Sequence, residues 1–292
     1  MKNLYRIGVL TTAMLCAVSL TAADQYTFRV VASGLARPTG ITIEGSEILY
    51  FTQVPTPGVA GANSVARFDL ETGEMTILHM GEPEPRNIVQ DREGTLYWTC
   101  TSAGVILRQT EDGTTTQLLV GLERPIGIAV DRSGNIFYTE VPMPGVAGGT
   151  NRVSVFDGQN RTVLHMGEPE PVDIAIARND DLYWTCRTAG VILRRSGGVT
   201  SLFMSGLDHP VGIAIDHKSQ QLYFTEVPTP GVSGSAGGRN KVWRVDLGSG
   251  EKMLVHAGDP EPTDVTIARN GNIYWTCTSA GVIVEARRLG GR

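Results

Sequence analysis

Cysteine is scarce in this chain of 292 residues: Cys16, Cys100, Cys186 and Cys277 are all there is. So few thiols exclude a small scaffold stapled by several disulfides. Basic residues are outnumbered, 25 against 30 acidic, and nowhere gather into a stripe. That excludes nucleic acid as a partner class. Beyond residue 20 no apolar run approaches the roughly 20 residues that span a bilayer as a helix. Helical periodicity is missing as well, which leaves strands to build the core.

What is abundant is glycine and proline, 35 and 15 residues, a load that suits many short turns. The chain starts with Lys2 and Arg6, an apolar run from Ile7 to Leu20, and the small residues Thr21-Ala22-Ala23. This pattern predicts a signal peptide over 1–23, cleaved on export, with 24–292 as the mature domain. The mature chain then holds 23 basic and 30 acidic residues, a net charge of −7. It is expected to be secreted or periplasmic, a monomer, and not inserted in the membrane after cleavage.

The organising feature is a repeat. Gly167–Leu193 reads GEPEPVDIAIARNDDLYWTCRTAGVIL, with close copies at Gly81–Leu107 and Gly258–Val284. A second segment alternates with it: GLARPTGITIEGSEILYFTQ from Gly34, GLERPIGIAVDRSGNIFYTE from Gly121 and GLDHPVGIAIDHKSQQLYFTE from Gly206. Both share one grammar, namely proline, a short apolar strand, a polar turn and an aromatic-rich strand. Four strand-like runs fall in each unit of roughly 40–50 residues, and there are six units, alternating odd and even. This predicts an all-β, six-bladed β-propeller of four antiparallel strands per blade, a two-blade module repeated three times. The last unit, from Pro262, supplies only three strands. The run from Tyr26 resembles an outer strand and is expected to complete the sixth blade and close the ring.

Numbering the strands of a blade outward from the axis, the second-to-third and fourth-to-first connections share one face. That face carries the longest loops, Val54–Ala62, Val141–Thr150 and Val227–Arg239, and the GEPEP segments. Functional residues concentrate on long loops over a rigid scaffold, so this face is the expected site. Each module offers it a similar set. His79, His165 or His256 ends an outer strand and is a candidate base or metal ligand, although a histidine there serves as readily as a half-exposed cap. Acids follow: Glu82 and Glu84, Glu168 and Glu170, Asp259 and Glu261. Asn87, Asp173 or Asp264 opens the next inner strand. Gln53, Glu140 or Glu226 ends a second strand, where a carboxylate can bind ligand or cap its own loop. Arg86 and Arg187 break the threefold likeness. Trp98, Trp184 and Trp275 read as packing between blades, with a sugar platform as the less favoured use.

Distances limit these candidates. Sheet spacings of about 10 Å and strand spacings of about 4.8 Å put Cys100, Cys186 and Cys277 on the order of 20 Å apart, beyond the roughly 7 Å a disulfide allows. Three buried thiols outside any disulfide are expected. The same spacings put the inner strands of Asn87, Asp173 and Asp264 about 12–17 Å apart. That is too far for their side chains to hold one bare ion, so a hydrated cation or a bridging polar ligand is expected instead. Direct calcium binding would need loop carbonyls.

Pro125-Ile126-Gly127-Ile128-Ala129-Val130-Asp131, followed by Gly134-Asn135-Ile136-Phe137-Tyr138, resembles NHL-repeat and SMP-30/gluconolactonase-like six-bladed propellers. Tyr223-Phe224-Thr225-Glu226 is similar to a strand of streptogramin lyase-like propellers, and Tyr-Trp-Thr-Cys to YWTD repeats with Cys in place of Asp. The gluconolactonase resemblance implies Asn or Asp directly after each inner-strand proline, holding a divalent metal. Thr39, Arg86, Ile126, Val172, Val211 and Thr263 stand there instead, so the metal site is not matched. Three functions follow: a propeller binding a small polar molecule, glycan or protein at the channel mouth; a hydrolase or lyase of lactones, esters or similar substrates; or a structural and protein-interaction propeller. Likeness among three modules favours binding, because catalysis needs an asymmetric constellation.

Overall fold

The computed structural model describes residues 25–55, 63–81, 83–142, 150–167, 169–228 and 239–289. Residues 1–24, where the signal peptide is expected, and most of the three long loops, together with Glu82 and Glu168, lie outside the described residues.

Among the described residues every element is a strand. β1 (Tyr26–Ala32) comes first. Blade 1 is β2 (Pro38–Glu44), β3 (Ile48–Gln53), β4 (Ser64–Asp69) and β5 (Met75–Met80). Blade 2 is β6 (Pro85–Gln90), β7 (Leu96–Cys100), β8 (Val105–Gln109) and β9 (Thr115–Leu119). Blade 3 is β10 (Pro125–Val130), β11 (Ile136–Glu140), β12 (Arg152–Phe156) and β13 (Arg161–Met166). Blade 4 is β14 (Pro171–Ile176), β15 (Leu182–Cys186), β16 (Val191–Ser196) and β17 (Val199–Met204). Blade 5 is β18 (Pro210–Asp216), β19 (Gln221–Glu226), β20 (Lys241–Asp246) and β21 (Lys252–Ala257). Blade 6 is β22 (Pro262–Ile267), β23 (Ile273–Cys277) and β24 (Val282–Arg288), and β1 is its fourth strand.

The six sheets are a β-propeller, and the N-terminal strand closes it as expected. β1 pairs antiparallel with β24, Phe28 opposite Ala286, which removes the open edge of blade 6. The core lies in the seams between blades. Trp98, Trp184 and Trp275 are wholly buried there, beside aliphatic side chains from the preceding blade such as Val65, Val153 and Val242. Cys100, Cys186 and Cys277 are buried in the same seams, and none of them is in a disulfide, as the spacing predicts.

A threonine in each second strand ties the ring together. In every blade the first two strands slip register just after the proline, for example between Pro125 and Ile128. The threonine fills that irregularity. Thr185 Oγ1 accepts the N–H of Asp173 in its own blade and donates to the Val211 carbonyl of the next, at 2.6 Å. Thr99 donates likewise to Ile126, and Thr139 to Val172. Thr276 donates to Thr39 at 2.7 Å, across the point where blade 6 meets blade 1. Threonine therefore recurs in YFTQ, YWTC and FYTE for a structural reason: one hydroxyl satisfies two backbone groups that the slip would orphan.

Candidate functional site

The channel along the propeller axis is crossed by a polar floor. Asn87 Nδ2 donates to Asp173 Oδ1 at 2.7 Å, and the carboxyls of Asp173 and Asp264 lie close enough to perturb each other. These residues come from blades 2, 4 and 6, and side chains of alternate blades touch only at the axis. The expected 12–17 Å between these inner strands is therefore corrected, since their side chains meet. The reason is glycine on the intervening inner strands. A Cβ at Gly127 would stand 2.6 Å from the Val172 carbonyl oxygen, and one at Gly212 would stand 2.6 Å from Asp264 Cα. Without side chains there, the inner strands converge.

The floor is electrostatically tight. Asp173 accepts the N–H groups of Ile174 and Ile213, and Asp264 those of Val265 and Ile41, each at 2.8 Å. Burial pushes Asp173 up to about 7. Burial and then the charge of Asp173 push Asp264 well above the carboxylate range. The pair thus shares a proton, because two adjacent buried carboxylates cannot both ionise. A pair carrying one charge, with its oxygens bonded to backbone N–H groups, does not fit a bare divalent cation. Among the described residues no group of three or more His, Cys, Asp or Glu is placed to hold a metal.

Above the floor, on the long-loop face, the residue before each inner-strand proline forms a rim: Arg37, Glu84, Arg124, Glu170, His209 and Glu261. Residue types alternate around the ring, basic in odd blades and acidic in even ones. Five of the six residues have left-handed backbone, with φ between 48° and 54°. Non-glycine residues there cost about 1 kcal/mol or more each, and such strain collects at functional sites. The bend is held because each of these carbonyls accepts an N–H from just beyond the second strand, as Arg124 does from Val141.

Arg86 follows the rim in blade 2. Burial depresses its guanidinium pKa, Glu84 raises it, and the charges of Arg124, Arg37 and Arg187 depress it further. Groups from blades 1 to 4 therefore converge on this one side chain. Among the described residues its guanidinium donates no hydrogen bond to protein.

The other candidates are placed elsewhere. His79, His165 and His256 lie on outer strands against Trp98, Trp184 and Trp275, with ring centroids 5.2, 5.5 and 5.8 Å apart. His79 Nε2 is 2.8 Å from Thr115 Oγ1, and His256 pairs with Asp259 at 3.0 Å. They belong to the blade seams, not the channel. Glu140 and Glu226 are buried and accept the N–H groups of Glu123 and Asp208, so they cap the loop entering their own blade. Glu226 also accepts the Trp243 indole N–H at 2.7 Å. Gln53 does the same for Ala36. Glu84 and Glu261 are exposed, Glu170 half-buried and Arg187 exposed.

Sequence reasoning missed the opposite end. Below the floor the channel is a 250 Å3 space walled by Ile, Val and Ala. It opens on the short-turn face into a 560 Å3 cavity ringed by Arg92, Arg132, Arg178, His217 and Arg269. The available signal was a base recurring in the first turn of the blade, as in Asp91-Arg92, Asp131-Arg132 and Ala177-Arg178.

No family model matches the chain. It is 24% identical over 287 residues to low-density lipoprotein receptor-related protein 1 of Pyricularia oryzae, covering 84% of this chain and 89% of that protein. Among solved structures it resembles a gluconolactonase of Xanthomonas campestris with a TM-score of 0.73 and 16% identity, covering 94% and 93% of the two chains. A streptogramin B lyase gives 0.61 and 16%, covering 92% of this chain and 99% of that one. A chain of the nidogen/laminin complex gives 0.63 and 21%, covering 79% and 85%. These likenesses show the fold and leave the chemistry to the residues themselves.

Proposed function

We propose that this chain is a ligand-binding propeller that takes a small polar molecule bearing an anionic group at the long-loop mouth. One observation carries the reading. Arg86 sits over a closed floor among three further arginines and one nearby glutamate, with no hydrogen-bond acceptor from protein among the described residues. A half-buried guanidinium with free N–H groups is a fork for a carboxylate or similar oxyanion. The alternating rim offers Glu84, Glu170 and Glu261 to the hydroxyl or ammonium groups of the same ligand. The three histidines are spent in the seams, which supports binding over turnover. Export by the leader and action as a monomer outside the cytoplasm belong to the same reading.

A hydrolase or lyase is the second reading. The proton shared by Asp173 and Asp264 is an acid–base pair, and a gluconolactonase and a streptogramin B lyase are among the structural neighbours. One panel separates the two. Hexuronic and aldonic acids, their lactones and amino acids are screened by thermal shift, and the lactones are also followed for acid release. Binding without turnover, lost in Arg86→Ala, supports the first reading. Acid release abolished in Asp173→Asn supports the second.

A further inference from the structure

The basic mouth on the short-turn face is a separate feature from the long-loop site. Five of the six first turns carry a base toward the 560 Å3 cavity, with Gly45 in the sixth. The bases cross the odd/even alternation, since Arg132 and His217 belong to odd blades and Arg92, Arg178 and Arg269 to even ones. Arg92, Arg178 and Arg269 recur at one position of the repeat, whereas Arg132 and His217 stand where blade 1 has Gly45.

Four carboxylates share the mouth: Glu44, Asp91, Asp131 and Asp180. Three of them are engaged within their own blades. Asp91 accepts the N–H groups of Glu93 and Thr95 and the hydroxyl of Tyr97. Asp131 accepts the N–H groups of Ser133 and Asn135 and the Asn135 side-chain amide. Glu44 accepts the Tyr50 hydroxyl at 2.8 Å. Among the described residues, none of the four arginines forms an ion pair or donates a side-chain hydrogen bond to protein. The bases also face one another: after burial, the charges of Arg132, Arg178 and Arg92 hold the His217 imidazole below its ordinary pKa, against the raising charge of Asp216. A concave site with like charges from several blades and free guanidinium N–H groups concentrates anions.

We propose that this second mouth binds a small polyvalent anion, whose phosphate or carboxylate oxygens are shared among guanidiniums of different blades. More than one charge is needed because the arginines are spread around the ring, and one monovalent group reaches few of them. The apolar walls of the narrower channel, Ile43, Val130, Ile176 and Ile267, hold the ligand at the level of the turns.

Titration calorimetry on the mature chain tests this, with pyrophosphate and citrate as the phosphate and carboxylate probes. The expected result is saturable binding of at least one probe at one site per chain. Arg132→Ala/Arg178→Ala should weaken it at least about tenfold, as expected for two lost charge-assisted contacts. Arg161→Ala/Lys252→Ala removes the same charge from exposed outer strands and should leave binding unchanged. NMR titration of His217 should move to higher pH with the anion bound. The proposal is overturned if neither probe binds at millimolar concentration, if the Arg132/Arg178 variant binds like the parent, or if His217 titrates unchanged.

Discussion

Replacing both acids of the channel floor, Asp173→Asn/Asp264→Asn, should abolish a pH dependence of stability that the parent carries. Asp173 is pushed from 3.8 to about 7 by burial, and Asp264 well above its ordinary value by burial and its neighbour. With pKa values raised on folding, the native protein holds protons that the unfolded chain releases. Stability from these groups is therefore fully present below pH ~4 and lost as pH rises through the folded values. For Asp173 alone the loss between pH 4 and 7 is on the order of 4 kcal/mol, at about 1.4 kcal/mol per pKa unit. Asp264, also raised on folding, adds to the fall in the same direction. In the double variant every floor side chain is an amide, able both to donate and to accept, and none titrates. Acids held low by turn hydrogen bonds, such as Asp69, Asp157 and Asp246, act in the opposite direction. They are common to both proteins and cancel in the comparison. Urea unfolding at pH 4.5, 6 and 7.5 gives the stability difference, parent minus variant, which should fall steadily across the series. A difference constant with pH would refute the shared proton.

Two further outcomes follow from packing. Gly127→Ala should destabilise by about 3 kcal/mol or more, because its Cβ would meet backbone atoms at 2.6 and 2.7 Å that cannot step aside, whereas Gly34→Ala, with nothing within 4 Å and φ of 72°, should cost only about 1 kcal/mol; thermal melts of the two compare them directly. Trp275→Phe should cost about 1–3 kcal/mol more than Trp184→Phe by urea unfolding, since the Trp275 indole N–H donates to Asp259 at 2.7 Å while those of Trp98 and Trp184 have no partner among the described residues.

The repeat made the fold readable. Proline, apolar strand, turn and aromatic strand recur six times, and the stretch from Tyr26 so resembles an outer strand that ring closure is legible in the sequence. The cysteines were legible for the same reason, because one repeat position implies one radial depth. The site was harder to read. Asn87, Asp173 and Asp264 were visible as polar residues opening inner strands, but strand spacing alone kept them apart. The convergence depends on Gly40, Gly127 and Gly212 on the other three blades, a consequence seen only when the ring is assembled. His79, His165 and His256 adjoin the GEPEP loops in sequence, yet an outer strand lies far from the axis however near in the chain. Arg92, Arg132, Arg178 and Arg269 went unnoticed because their turns are short and read as connectors. Conversely, the left-handed backbone of Arg37, Glu84 and Arg124 has no signature in residue type, since glycine is the residue such a position favours.

The central claim is that Arg86 is the anchor of the long-loop mouth. Its most direct measurement is the affinity of the parent protein and of Arg86→Ala for the acid that raises its melting temperature most in the panel. A carboxylate held by a half-buried guanidinium should lose about 2–4 kcal/mol on truncation, a thirtyfold or greater rise in Kd, with the melting temperature of the unliganded protein nearly unchanged. Equal affinity in the two proteins would contradict the account.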